Sequence, residues 1–433
     1  MRNNANSLQL DLLPFESPVV RHDSSSTFAH NLSLPIHRWF RFTAGFSSLW
    51  VKELIDQEKE NGRINVLDPF AGSGTVLIEA ELANLNAMGL ESHPFIARIA
   101  KAKLFWKESP DNFLSFANGV LQRAKKRKNT EPKFAPLIHK CYPPAILSHL
   151  DSLKRSWLAQ NDGSAGAELA WLVITSILRE CSPVGTAQWQ YIQPRKSKAR
   201  VERPYDAFEA KVSQMYHDML QMQILPIHRK AKLFQEDARE IISVPDRWAD
   251  LVITSPPYAN NFDYADATRL EMTFWGEVSG WGDLQQKVRK YLIRACTQQV
   301  GELNGFGEEL LSSPLLTPIH SELKVVFSEL VKERLKHGGK KAYHLMIVAY
   351  FKDMAQMFVS LRRVTKRDSL LCFVIGDSAP YGIYVPVERW LGQLAVRAGF
   401  KSFTFEKLRD RNIKWKNRKH KVPLHEGRLW IKG

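Results

Sequence analysis

The longest apolar run in this 433-residue chain, Leu169 to Leu178, falls far short of the roughly 20 residues that a membrane-spanning helix needs. The opening Met1-Arg2-Asn3-Asn4-Ala5-Asn6 lacks the apolar core of a secretory signal. A soluble, intracellular, cytoplasmic protein with no membrane role is therefore expected. Cysteine is scarce: Cys141, Cys181, Cys296 and Cys372 are widely scattered and form neither a disulfide framework nor a paired ligand motif. They read as reduced, mostly structural thiols. The 13 histidines lack the paired spacing of a zinc cluster, so no metal site is expected. Internal repeats and low-complexity tracts are missing as well. Acid is in short supply, with 45 Asp plus Glu against 61 Lys plus Arg and a formal charge of +16. Such an excess favours a polyanionic partner, because each phosphate that a cation neutralises releases condensed counterions.

What the chain does contain is an alternation of apolar strand candidates with helices on both sides of a long interruption. That pattern argues for an α/β, doubly wound core, a mostly parallel sheet with helices on both faces. Seven strand candidates fall at 64–68, 87–91, 232–235, 249–254, 370–375, 403–406 and 429–431. The core is then discontinuous, 1–105 and 229–433. Between its halves, 106–228 reads as an inserted, mainly helical subdomain with amphipathic stretches at 112–125, 145–158, 168–180 and 205–222. A second, smaller insertion, 276–342, carries helical character over 281–299 and a Ser-Pro-Leu-Leu-Thr-Pro linker at 313–318.

Two strand ends carry the chemistry. The first strand runs into Asp68-Pro69-Phe70-Ala71-Gly72-Ser73-Gly74-Thr75 and then a helix from Val76 to Ala83. A Gly-x-Gly turn after a strand is common in nucleotide-binding folds. Here the third glycine of a dinucleotide loop is missing, and no Lys-Ser or Lys-Thr follows to hold a triphosphate. The fourth strand, Asp250-Leu251-Val252-Ile253-Thr254, empties into Ser255-Pro256-Pro257-Tyr258. Alone, that tetrapeptide reads as a proline-stiffened turn ending a buried strand.

In this order the two segments resemble the S-adenosylmethionine-dependent methyltransferases that modify exocyclic amino groups of nucleic-acid bases, in particular the N4-cytosine DNA methyltransferases. The resemblance covers about residues 30–105 and 229–433 and implies the Rossmann-like class I methyltransferase fold. It implies S-adenosyl-L-methionine as cofactor and DNA as partner, with RNA as the alternative. Gly72 and Gly74 would let the backbone approach the methionine part, flanked by Phe70 and Thr75, while Asp68 would meet the ammonium group. Glu91, about 20 residues on, is the candidate ribose acceptor, and Asp237 the candidate adenine contact, unless it is an ordinary N-cap. The segment Pro35 to Ser47 resembles the family's motif X, which covers the methionine carboxylate and nominates Thr43, Phe46 and Ser47. Placing motif X and the glycine loop before Ser-Pro-Pro-Tyr excludes the circularly permuted branch.

The Ser-Pro-Pro-Tyr loop suits an aromatic amine whose lone pair is delocalised into the ring. If the amine's hydrogens point at the Ser255 hydroxyl and the Pro256 carbonyl, its lone pair faces the cofactor methyl group, while Pro256 and Pro257 keep the loop rigid. Tyr258 would stack on a base swung out of its duplex. Ser rather than Asp or Asn before the prolines resembles the cytosine enzymes, with N6-adenine as the alternative. Carbon-5 methylation would need a nucleophilic cysteine, and none of the four follows a proline. Asn260 to Tyr264 and Asp266 add groups that suit a base pocket, Asp263 foremost, or simply cap the next helix, near 266–275. Two basic runs with aromatics suit nucleic acid: Arg195, Lys196, Lys198 and Arg200 beside Trp189 and Tyr191, and Lys414, Lys416 and Arg418 beside Trp415. Solvated charged loops are the alternative. A site-specific methylase of a restriction–modification system is the expected setting, against a catalytically inactive nucleic-acid-binding module.

Overall fold

A computed structural model describes residues 28–42, 45–127, 132–186, 191–411 and 422–433. Its strands are β1 (Asn65–Asp68), β2 (Asn86–Leu90), β3 (Val184–Thr186), β4 (Ile192–Ser197), β5 (Lys232–Phe234), β6 (Ala249–Thr254), β7 (Thr365–Gly376), β8 (Ser402–Arg411) and β9 (Leu424–Lys432). Seven of them form one sheet in the order β5-β2-β1-β6-β7-β9-β8. The first five are mutually parallel, and β9 runs antiparallel to both β7 and β8. This is the Rossmann-like methyltransferase fold, and all seven expected strands are present.

Why these segments form a central sheet is visible in their side chains. Val66, Leu251, Ile253, Cys372 and Val374 enter one apolar cluster, whereas Leu67, Val252, Leu371 and Phe373 enter another. Adjacent residues of a strand point to opposite faces, so a strand covered on both sides must be apolar throughout. All six residues of β6 are accordingly buried. Helices Ser48–Glu60 and Thr75–Leu82 cover the first face, and Tyr343–Val364 and Val387–Arg397 the second.

The insertion is not separate from this packing. Helix Pro94–Leu104 sends Ala97 and Ala100 toward the sheet and Phe95, Ile96 and Ile99 into a cluster with Phe113, Trp157, Trp171 and Phe208 of the insertion. The four expected helices are present as Pro110–Lys126, Pro144–Gln160, Ala165–Ile177 and Pro204–Met222. The insertion also holds an antiparallel hairpin, β3–β4, which the expectation of helices had not anticipated. Pro194 and the surrounding cations hide its alternation.

The second insertion departs further. The stretch 281–299 is not one helix: it breaks after Trp281–Lys287, where Val288 leaves helical backbone at φ −130°, and resumes as short 3-10 turns. The linker at 313–318 is a 3-10 helix, Pro314–Ile319, with one proline at its start and another, Pro318, inside it. The helix near 266–275 is two, Tyr264–Ala267 and Arg269–Trp275. Among the described residues no helix is long and apolar enough to cross a membrane, and no group of three or more His, Cys, Asp or Glu side chains is placed to hold a metal ion.

Candidate active site

The parallel register of β1 and β6, Val66 opposite Leu251 and Leu67 opposite Val252, makes their outgoing loops emerge side by side. This is where the strand order reverses, the edge at which open α/β sheets bind ligands. One bond joins the loops: Thr254 Oγ1 donates to Asp68 Oδ1 at 2.6 Å. The same oxygen accepts the Phe70 N–H at 3.0 Å. Burial pushes the Asp68 carboxyl up to about 7 against these two hydrogen bonds, and the neighbouring Glu91 adds to the rise. Glu91 pins the glycine loop, its Oε2 accepting the Gly72 N–H at 2.9 Å and its Oε1 the His93 N–H at 2.8 Å. Burial raises this carboxyl to about 7 as well. Gly72 and Gly74 both adopt positive φ, 52° and 88°, which a side chain would strain. Gly74 also admits Ala100, whose Cβ would lie 3.4 Å from an added methyl group.

Above these loops lies a cleft with about 730 Å³ of empty space out to its open mouth. Phe46, Phe70, Gly72, Thr75, Glu91, Ser255 and Pro257, all singled out from sequence, line it. Asp68 and Gly74 stand behind the wall and set its shape. Pro256, between Ser255 and Pro257 in sequence, is buried. Ser255 Oγ donates to the Val374 carbonyl at 3.2 Å, which fixes the hydroxyl and leaves its oxygen as an acceptor.

Other nominated residues lie elsewhere. Ser47 is buried and caps helix Ser48–Glu60, accepting the Trp50 N–H at 3.4 Å. Asp237 caps Ala238–Glu240 and pairs with Arg239, Nε to Oδ2 2.9 Å. Asp263 is buried against Arg289, Nη2 to Oδ2 2.6 Å, and caps Tyr264–Ala267. The Tyr258 ring lies beside Gly376 and beneath the Arg411 guanidinium, 5.3 Å from its centroid. None of these four is in the cleft wall. Thr43, Lys414, Lys416 and Arg418 fall outside the described residues, as does Trp189.

Several wall residues were not nominated: Phe42, Ser92, His93, Ile96, Tyr264, Leu292 and Ile293. Phe42 and Tyr264 belong to segments whose character pointed to the site. Leu292 and Ile293 carry no local signal, since they reach the cleft from the second insertion. His93 is buried and neutral, its pKa lowered to about 3 by desolvation; Nε2 lies 3.0 Å from Thr268 Oγ1, and Nδ1 has no partner.

The four basic residues nominated in the insertion lie on the hairpin and just beyond it. Arg195 and Lys196 are exposed on β4. Arg200 is exposed beside Glu202, Nε to Oε1 2.8 Å, whereas half-buried Lys198 donates to the Arg179 carbonyl. The hairpin is tied to the loop after Ser-Pro-Pro-Tyr: the Asp263 N–H donates to the Tyr191 hydroxyl at 2.7 Å, and Tyr191 packs on Phe262 with centroids 5.5 Å apart.

Comparison with known proteins adds an independent line. An N6/N4 methyltransferase family, described as DNA methylase, matches residues 15–102. The Type II methyltransferase M.AvaI of Nostoc sp. (strain PCC 7120) is 26% identical over 415 residues, covering 89% of this chain and 84% of that protein, and M.AvaI of Anabaena variabilis matches to the same extent. The Type II methyltransferase M.BsoBI of Geobacillus stearothermophilus is 24% identical over 428 residues, covering 89% and 82%.

Proposed function

We propose that the protein is a DNA amino-methyltransferase of a restriction–modification system, acting in the cytoplasm on the N4 amino group of cytosine. The similarity to Type II methyltransferases over most of the chain supports the reaction class. The observation that carries the reading is the single cleft formed where the glycine loop and the Ser-Pro-Pro-Tyr loop meet, joined by the Thr254–Asp68 bond.

The cleft fits S-adenosylmethionine in its donor set. Glycine at position 72 opens it: an added Cβ would lie 3.2 Å from Phe42 Cε1. The Glu91 carboxylate at the end of β2 suits ribose hydroxyls, and the aromatic rings of Phe42, Phe46 and Phe70 provide apolar walls. Asp68 supplies the negative charge that an ammonium group needs. When bound there, S-adenosylmethionine supplies an electrophilic methyl group. The chain's own task is then positioning. The Ser255 oxygen and the Pro256 carbonyl accept hydrogen bonds from the amine, hold the nitrogen at the cleft and leave its lone pair free to attack. Tyr258, whose ring lies 5.3 Å from the Arg411 guanidinium, is the stacking platform for the extruded base. Serine at position 255 supports cytosine over adenine through the resemblance described above.

The insertion, 106–228, is assigned to target recognition. Arg195 and Lys196 project from a hairpin tied to the catalytic loop through Tyr191, a placement that suits contact with the duplex flanking an extruded base.

The test is incubation of the purified protein with methyl-tritiated S-adenosylmethionine and separate unmethylated DNA and RNA pools, followed by mass spectrometry of the digested nucleosides. Labelled N4-methylcytosine in DNA is expected. N6-methyladenine would retain the mechanism and overturn the base, and label in RNA alone would overturn the DNA assignment.

A further inference from the structure

Lys103 is 1% exposed, on the last turn of helix Pro94–Leu104. Its Nζ donates to the His37 carbonyl at 3.1 Å. Among the described residues no carboxylate pairs with it. Glu79, the carboxylate on the His37 side chain, is held by His37 Nε2 at 2.7 Å. Burying an unpaired ammonium is costly, and proteins ordinarily avoid it. Desolvation alone lowers the Lys103 pKa to about 7. The other buried residues of the helix, Phe95, Ile96, Ala97, Ile99, Ala100 and Ala102, are all apolar, so none of them pairs with the ammonium.

The surroundings indicate what it waits for. Lys103 borders a small void with Asn31, His37, Phe40 and Phe42. That void shares Phe42, Gly45, Ser73 and Thr75 with the wall of the main cleft, so the two spaces adjoin at the start of helix Thr75–Leu82. The helix packing explains the approach. Ala100 rests against Gly74, and Lys103 is one turn further along the same face, which brings its ammonium to the glycine-loop end of the cleft. The free N–H groups of the first helical turn add positive potential at the same place.

Resting on the cofactor reading above, we infer that Lys103 is the counter-charge for the carboxylate of the cofactor's amino-acid moiety, which enters this end of the cleft between Phe42 and the Ser73–Thr75 turn. The zwitterionic end of the ligand is then read by two buried groups of opposite sign, Asp68 for the ammonium and Lys103 for the carboxylate. Within the protein Asp68 accepts from the neutral donors Thr254 and Phe70, and Lys103 donates to the neutral His37 carbonyl, so among the described residues neither has an oppositely charged partner. This assigns a binding role to a residue that no motif nominates.

The experiment compares the affinity of S-adenosylmethionine with that of its decarboxylated analogue, by calorimetry, for the wild type, Lys103→Met and Lys103→Gln. The wild type is expected to prefer the carboxylated ligand. Both variants should lose about tenfold to a hundredfold in affinity for it, the range for one charge-assisted hydrogen bond, while binding the decarboxylated analogue as the wild type does. Thermal unfolding without ligand should show each variant folded and no less stable, because an unpaired buried charge has gone. An equal loss for both ligands would make Lys103 a merely structural residue and overturn the assignment. Unchanged affinity for both would also overturn it. Failure of the wild type to bind either ligand would overturn the cofactor reading itself.

Discussion

Asn at position 68 should make the protein more stable and less able to bind its cofactor. Thr254 and Phe70 both donate to Asp68 Oδ1, so an amide oxygen in that place keeps both bonds while the charge disappears. The Asp68 carboxyl is raised from 3.8 to about 7 by burial, which places its ionised form roughly 4 kcal/mol above its ionised form in the unfolded chain, at about 1.36 kcal/mol per pH unit. The sign follows from proton binding. Because the native state holds this proton more tightly than the unfolded state, stability falls as pH rises from about 4 to about 7 and the full cost applies above that. Asp68→Asn removes the cost. With an unfolding entropy near 2.1 cal/mol/K per residue over 433 residues, roughly 4 kcal/mol corresponds to a rise in Tm of about 4 °C. Scanning calorimetry should find that rise near pH 8 and see it shrink toward nothing as the pH approaches 4. Affinity for S-adenosylmethionine should fall about tenfold or more if, as proposed, Asp68 is the partner of the ammonium group, since a neutral amide then takes its place. A Tm change that is independent of pH, or a loss of stability near pH 8, would refute the argument.

Tyr258→Ala should weaken productive binding of DNA containing the target while leaving cofactor affinity nearly unchanged, because the ring lies outside the cofactor cleft; a parallel loss of both in equilibrium binding would contradict the division between the two loops. Arg195→Ser combined with Lys196→Ser should lower the slope of log affinity against log salt by about 0.9 for each phosphate contact removed, and an unchanged slope would move the phosphate contacts elsewhere. Arg289→Ala leaves Asp263 buried without its cation and should cost about 3–5 kcal/mol in denaturant unfolding, an effect that Asp263→Asn in the same background should largely restore.

Much of this architecture was legible in the chain. Strands buried on both faces are continuously apolar, so β1, β2, β6 and β7 announced themselves, and the two loops were legible because glycine and proline constrain backbone locally. The same locality limited the reading. Asp263 and Asp237 are acids in the right segments, yet each satisfies helix-start amides and an arginine, and only the fold shows that the arginine is Arg289 or Arg239. Leu292 and Ile293 reach the cleft because the helix breaks at Val288, a backbone event that amphipathic periodicity over 281–299 concealed. Lys103 gave no signal at all. A lysine in the last turn of a helix ordinarily reads as a favourable interaction with the helix dipole and a solvated head, and only its burial reverses that reading.

The cluster that unites Phe95, Ile96 and Ile99 with Trp157, Trp171 and Phe208 also bears on how such a protein acquires a new target. An insertion that shares its interior with a helix of the central sheet is not an exchangeable cassette: grafting another protein's insertion here would expose one half of a jigsaw whose other half supports the glycine loop through Ala100. If target recognition lies in the insertion as proposed, changes of specificity are confined to the outward side chains of the β3–β4 hairpin, where Arg195 and Lys196 are exposed and can be replaced singly without disturbing the interior. Laboratory evolution aimed at retargeting should accordingly draw its successes from that surface, and chimeras cut at residues 106 and 228 should fail at the folding step rather than at recognition.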